Sequence, residues 1–197
     1  KGEMPMLKPV DVLMVGVGGQ GTILASRILA HAALEKGYDI KVSEIHGMAQ
    51  RGGSVVTQIR LGQKVFSPLI PERGADIVLA FEKLEGLRLM PFLKPEGAMI
   101  INEQEIPPVP VLVGAAEYPT GIIEYIQSTA GQAVVVDALA IAEKCGNVKA
   151  ANVVLLGVMA RRLPFEQDVW DRALVACIPA KLLEVNKAAF AAGYGYR

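Results

Sequence analysis

Cysteine and histidine are scarce in this sequence. Among 197 residues there are two cysteines, Cys145 and Cys177, and two histidines, His31 and His46. The cysteines form no C-x-x-C pair, so the ligand density that a tetrahedral zinc site or an iron–sulfur cluster demands is missing. Two isolated thiols fit a reduced pair in the cytoplasm better than a disulfide framework. An excess of charge of one sign is lacking as well, with 20 Lys and Arg against 20 Asp and Glu. A balanced chain has no general field for nucleic acid or an anionic membrane, and Arg161-Arg162 is two charges rather than a basic tract. Long apolar runs are absent. Stretches such as Val153 to Ala160 fall well short of the roughly 18 residues of a membrane span. The opening residues have no charged, apolar and small-residue sequence of a secretory signal. The expectation is a cytoplasmic chain with no metal of its own.

Apolar residues are plentiful, at 52% of the sequence, against 20% charged. That excludes a disordered chain and suits one domain with a real core. Lys1-Gly2-Glu3 reads as a tag remnant at the start of an N-terminal extension over 1–9, and 10–197 reads as a single domain. Val10 to Val15 is a short apolar run stopped by Gly16, the pattern of a buried strand. Thr22 to Lys36 carries apolar residues at helical spacing up to Gly37, and Asp39 to Ile45 is a second strand. Strand, glycine turn, helix and strand predict a βαβ unit with strands one and two parallel. Ser54 to Leu61 and Lys64 to Phe66, around Gly62-Gln63, predict a β-hairpin. Further strands are expected over 75–81, 97–102 and 133–136, with helices over 82–93 and near 121–128. Four helices follow Asp137, itself a cap candidate, over 138–144, 150–162, 165–176 and 180–192. The fold class is therefore α/β: Rossmann-like, a mostly parallel sheet flanked by helices, with a hairpin and a helical C-terminal portion.

Two stretches carry chemistry. Gly16-Val17-Gly18-Gly19-Gln20-Gly21 satisfies G-x-G-x-x-G between a strand and a helix that opens at Thr22. Glycine N–H groups and a helix N-terminus favour phosphate or another anion. Glu44 stands about 20 residues on, where an acidic residue would hold a ribose hydroxyl. Taken alone this suggests NAD or FAD, but the extra glycine, followed by Gln20, weakens that reading and leaves other anions open. The second stretch, Glu44-Ile45-His46-Gly47-Met48-Ala49-Gln50-Arg51-Gly52-Gly53-Ser54, gathers a histidine, a cation, three glycines and several hydrogen-bonding groups. Arg51 offers a two-point contact to carboxylate or phosphate. His46 is the nearest candidate for a general base, with no partner evident at fixed spacing. Elsewhere, Glu82 and Glu85 open a helix at the carboxyl edge of the sheet, where strand ends border the ligand crevice; they either face that crevice or, as the commoner outcome, form a solvated first turn. Met48, Met90, Met99 and Met159 suit core or interface filling. Trp170 is expected to pack the late helices against the sheet, and Tyr118, Asn147 and Asn152 are open candidates for the same sheet edge.

The pairing of Val15-Gly16-Val17-Gly18-Gly19-Gln20-Gly21 with Ser43-Glu44 and Gly47-Met48-Ala49-Gln50-Arg51-Gly52-Gly53-Ser54-Val55 resembles the gamma domain of 2-oxoacid:ferredoxin oxidoreductases. The wording from Glu44 to Gly53 is most similar to the indolepyruvate type, and the similarity runs from about Val10 to the last helices. The resemblance implies an accessory subunit of an enzyme that oxidatively decarboxylates aryl 2-oxoacids, indolepyruvate or phenylpyruvate, to acyl-CoA and reduces ferredoxin, a chemistry of anaerobic metabolism. It implies a hetero-oligomer in which a larger alpha subunit carries thiamine diphosphate, magnesium and the iron–sulfur clusters. This chain has neither the cysteine set nor the Gly-Asp-Gly and paired asparagines those groups require. It would bind no cofactor tightly and would not turn over alone. Glu44, His46, Met48, Gln50, Arg51, Gly52, Gly53 and Ser54 would face the partner and its active site. Gly16, Gly18, Gly19, Gln20, Gly21 and Thr22 would contact CoA or another anion. No catalytic residue is assigned, with His46 the nearest. A gamma subunit for pyruvate, 2-oxoglutarate or branched 2-oxoacids is the alternative, since those relatives share the glycine turn. A free-standing dinucleotide-binding oxidoreductase is the second.

Overall fold

A computed structural model describes residues 7–47 and 52–197. The chain runs β1 (Val10–Val17), α1 (Thr22–Glu35), β2 (Asp39–His46), β3 (Ser54–Gly62), β4 (Ala75–Ala80) and α2 (Lys83–Leu89). A short 3-10 turn leads to β5 (Leu93–Asn102), α3 (Val109–Leu112), α4 (Ile122–Thr129) and β6 (Gln132–Val136). The helical end comprises α5 (Ala138–Lys144), α6 (Ala151–Ala160), α7 (Gln167–Cys177) and α8 (Ala180–Tyr194). Asp137 does cap α5, accepting the Ala140 N–H at 2.9 Å.

The six strands form one sheet in the order β2-β3-β1-β4-β5-β6. β1, β4, β5 and β6 are parallel neighbours, and β3 alone runs against both β1 and β2. The sheet is therefore mostly parallel, as the α/β reading expects. Two details differ from the sequence expectation. β1 and β2 share a direction but are not paired, because β3 lies between them. The reason is in their side chains. β3 buries Val55, Ile59 and Leu61 and suits a central slot, whereas β2 carries Asp39, Lys41, Glu44 and His46 and suits an edge. The expected hairpin around Gly62-Gln63 does not form. Both flanks of β3 are already occupied, so residues 63–66 leave the sheet, held by the Val65 N–H donating to the Asp39 carboxylate at 2.8 Å. The hairpin that exists is β2 to β3, closed by the Gly47 N–H on the Ser54 carbonyl at 2.8 Å.

The sheet has two apolar faces. Val12, Met14, Ile59, Leu79 and Ile100 pack under α1, α5, α6, α7 and α8. Leu13, Val15, Val78, Met99 and Ile101 pack under α2 and α4. α6 is buried all round from Asn152 to Ala160, as expected of a helix that is apolar on every side. It meets α8 backbone to backbone, with Gly157 against the Phe190 carbonyl and Gly193 against that of Val154. Trp170 is fully buried, its ring 5.5 Å from that of Phe165 and 5.6 Å from that of Phe190. Met99 and Met159 are core residues. Cys145 and Cys177 are free thiols, and burial pushes that of Cys177 up.

Candidate functional site

α1 and α2 cover opposite faces of the sheet, yet both follow strands that lie side by side, β1 and β4. The chain thus diverges at the carboxyl ends of these strands, where open α/β sheets place their crevice. A cleft of about 450 Å3 opens there, lined by Gly19, Gln20, Gly21, Asn102, Gln104, Lys149 and Asn152 among others.

The glycine turn is built around one side chain. The Gln20 amide oxygen accepts the Val17 N–H at 2.7 Å, and its nitrogen donates to the Phe81 carbonyl at 2.8 Å and to Gln104 Oε1 at 3.0 Å. Gly16 leaves room for this: a Cβ there would stand 2.8 Å from Gln20 Oε1 and 2.9 Å from the Phe81 Cβ. Gly21 takes a left-handed conformation, with φ of 80°, and a Cβ on it would meet Asn152 Nδ2 at 2.5 Å. Asn152 instead donates to the Gly21 carbonyl at 3.1 Å. Gly21 supplies no side-chain cap to α1, so the first-turn N–H groups of α1 face the crevice end of the helix uncapped. Thr22 itself is buried.

The turn differs from a dinucleotide fingerprint in ways that count against NAD or FAD. The Gly18 N–H, which would approach a pyrophosphate, donates to the Gly53 carbonyl at 2.9 Å. Gln20 occupies the concavity of the turn. Glu44, expected beside the ribose, is carried one strand too far by the inserted β3 and pairs with His46 Nε2 instead. That contact also supplies the partner for His46 that sequence spacing left unidentified.

The second motif lies alongside. Gly53 and Ser54 enter β3 next to Val17, tied to the glycine turn through the Gly18–Gly53 bond. Gly52 sits in the turn, with φ of 77°. Met48, Gln50 and Arg51 lie outside the described residues. Ser54 donates to Glu85 Oε2 at 2.5 Å, and Arg88 donates to Glu85 Oε1 at 2.8 Å. Glu85 is only 4% exposed and Glu82 only 1%. This corrects the expectation of a solvated first turn for α2. Glu82 accepts the Glu85 N–H at 2.9 Å, the Ile106 N–H at 3.2 Å and the Tyr118 hydroxyl. Burial, with the Glu82 carboxylate beside it, pushes the Tyr118 hydroxyl far above the ordinary tyrosine range. The two carboxylates thus latch two loops: Glu85 the motif loop, and Glu82 both ends of the excursion from Ile106 to Tyr118.

Sequence reasoning missed Asn102 and Gln104. Asn102 is buried, donates to the Phe81 carbonyl and to Gln104 Oε1, each at 3.1 Å, and accepts the Ala138 N–H at 3.1 Å. The available signal was a polar residue closing the otherwise apolar run of β5. The arrangement joins the ends of β1, β4, β5 and β6 into one hydrogen-bonded rim. Among the described residues, no group of three or more His, Cys, Asp or Glu is placed to hold a metal ion, and no helix is long and apolar enough to cross a membrane.

Comparison with known proteins agrees with this architecture. The family model described as pyruvate ferredoxin/flavodoxin oxidoreductase matches residues 11–196. The indolepyruvate oxidoreductase subunit IorB of Thermococcus kodakarensis is 37% identical over 95% of both chains. The subunit of the same name from Archaeoglobus fulgidus is 39% identical over 94% of both. Among solved structures, the keto/oxoacid ferredoxin oxidoreductase gamma subunit of Geobacter sulfurreducens superposes with a TM-score of 0.70 at 22% identity, over 94% of this chain and 96% of that one. A gamma-subunit fold, a family match over nearly the whole length and relatives of equal size place this chain in the pyruvate ferredoxin/flavodoxin oxidoreductase family.

Proposed function

We propose that this chain is the smaller subunit of an indolepyruvate-type oxidoreductase, and that its carboxyl rim docks on the larger subunit beside the reacting centre. The observation that carries the reading is the latching of the motif loop. Gly53 is bonded to the glycine turn and Ser54 to a buried carboxylate, so the end of the motif that enters β3 is fixed beside the glycine turn at the carboxyl rim. The names of the relatives supply the substrate class, indolepyruvate. On this reading the pair of subunits converts an aryl 2-oxoacid and CoA to acyl-CoA and carbon dioxide, and ferredoxin takes the electrons. The donor set of the described residues does not fit a magnesium ion or an iron–sulfur cluster. On this reading thiamine diphosphate, magnesium and the clusters are held by the larger subunit.

This chain's share is positional. Glu44, His46, Gly52, Gly53 and Ser54, with Met48, Gln50 and Arg51, form the docking face. Gly19, Gly21 and Thr22 present the open end of α1 to an anionic group of CoA, while Gly16, Gly18 and Gln20 hold the turn in shape. His46, paired with Glu44, serves the interface rather than proton transfer. The test is anaerobic co-purification with the large subunit, followed by assay with indolepyruvate, CoA and ferredoxin. Turnover by the pair and none by either chain alone is expected. Turnover by the isolated large subunit at the full rate would overturn the proposal.

A further inference from the structure

The amino edge of the sheet, opposite the carboxyl rim, holds a second and larger cleft of about 600 Å3. Its charged lining is Lys8, Asp76, Lys94, Glu96, Arg161 and Arg162, drawn from the starts of β1, β4 and β5 and the end of α6. Two of these charges are spent on each other. Asp76 takes Lys94 Nζ at 2.6 Å and the Asp11 N–H at 2.8 Å. Lys8, Arg161 and Arg162 form no ion pair with a described carboxylate, and Glu96 is the one acid left to face them. On a chain of formal net charge zero, this is a local surplus of cations.

Arginines at the end of a helix ordinarily hydrogen-bond its last carbonyls and offset its dipole. These two are held elsewhere. Arg161 donates to the Tyr196 carbonyl at 2.6 Å, and Arg162 to Gln132 Oε1 at 2.6 Å. Both acceptors are neutral, so the guanidinium groups are oriented without being neutralised. Partial desolvation, and Arg161 next to it, hold Arg162 below the ordinary arginine range. A further concavity lined by both arginines, Tyr196 and Arg197 adjoins the cleft.

We propose that the amino-edge cleft binds a small, multiply charged phosphate-type oxyanion between Arg161 and Arg162 on one side and Lys8 on the other. A concave site of this volume suits a small molecule rather than a flat protein face. Planar guanidinium forks suit the oxygens of a phosphate group. The site lies at the opposite edge from the docking rim and does not depend on that reading.

The experiment is calorimetric titration of the full chain at low salt with inorganic pyrophosphate and, separately, inorganic phosphate. A single saturable site per chain is expected, tighter for pyrophosphate and weakened by added salt. Arg162→Gln is expected to weaken pyrophosphate about tenfold, because a hydrogen bond to a charged group is lost. Arg162→Lys retains most of the affinity. Lys181→Gln, at the start of α8 and outside the cleft lining, leaves it unchanged. Should Arg162→Gln melt early, Lys8→Gln on the exposed side gives the same test without touching the fold. Absence of saturable binding up to about 10 mM pyrophosphate, or equal binding by the parent and the charge-removed variants, would overturn the assignment.

Discussion

Glu82 has an acid's chemistry and a structural residue's position. It is buried with no cation on it among the described residues, and three donors converge on it: the Glu85 and Ile106 N–H groups and the Tyr118 hydroxyl. Removing the carboxylate leaves those donors without a partner. Glu82→Ala should therefore destabilise the chain by about 3 kcal/mol, read from the urea midpoint at unchanged slope. Tyr118 makes a separate prediction. Its folded pKa lies above the unfolded value. The stabilisation is thus complete below the unfolded tyrosine pKa of about 10 and is lost as pH rises beyond it. Tyr38 is raised too, by burial, and acts with the same sign. Stability measured from neutral to strongly alkaline pH should fall beyond that point, and Tyr118→Phe should flatten the fall. An unchanged slope in the variant would remove Tyr118 from this role. The residues stood out in the sequence, but their pairing was not legible there. The partners of Glu82 and Glu85 sit 36 and 31 residues away, at Tyr118 and Ser54, and a local pattern at a helix start shows only two acids.

At the scale of elements, the helix pair α6 and α8 is the most constrained contact. Gly157 and Gly193 let the two backbones touch, and a Cβ at Gly157 would also stand 2.8 Å from the Tyr194 nitrogen. The obstacle is backbone, which cannot rotate aside. Gly157→Ala should cost about 3 kcal/mol despite its gain in helix propensity, visible as a lowered melting temperature. An exposed change on α7 such as Val175→Ala should be nearly neutral. Elements whose signal is local were readable: β1 from its apolar run into Gly16, α1 from helical spacing up to Gly37, and α5 from Asp137 to Lys144. Pairing was less so. The direction of β1 and β2 follows from a helix between them, but nothing local states that β3 slips into the gap. The clue was the polarity of β2, with Asp39, Lys41, Glu44 and His46 marking it as an edge.

At the scale of the whole molecule, the two motifs are separated by a helix and a strand in sequence and adjacent in space, joined by the Gly18–Gly53 bond. That adjacency was not available from spacing; only the family resemblance tied the two stretches together. It makes the docking proposal specific. Arg51→Ala in the motif loop should weaken assembly with the large subunit, or CoA-dependent turnover, by about tenfold. Unchanged assembly together with unchanged kinetics would remove Arg51 from the docking face. The glycine turn has a consequence at this scale as well. Folds of this kind commonly leave a socket at the switch point that a nucleotide fills. Here Gln20 is the plug, moulded from the chain itself. The shape of the switch point is thus written into the chain's own hydrogen bonds, and a nucleotide is not what holds it open.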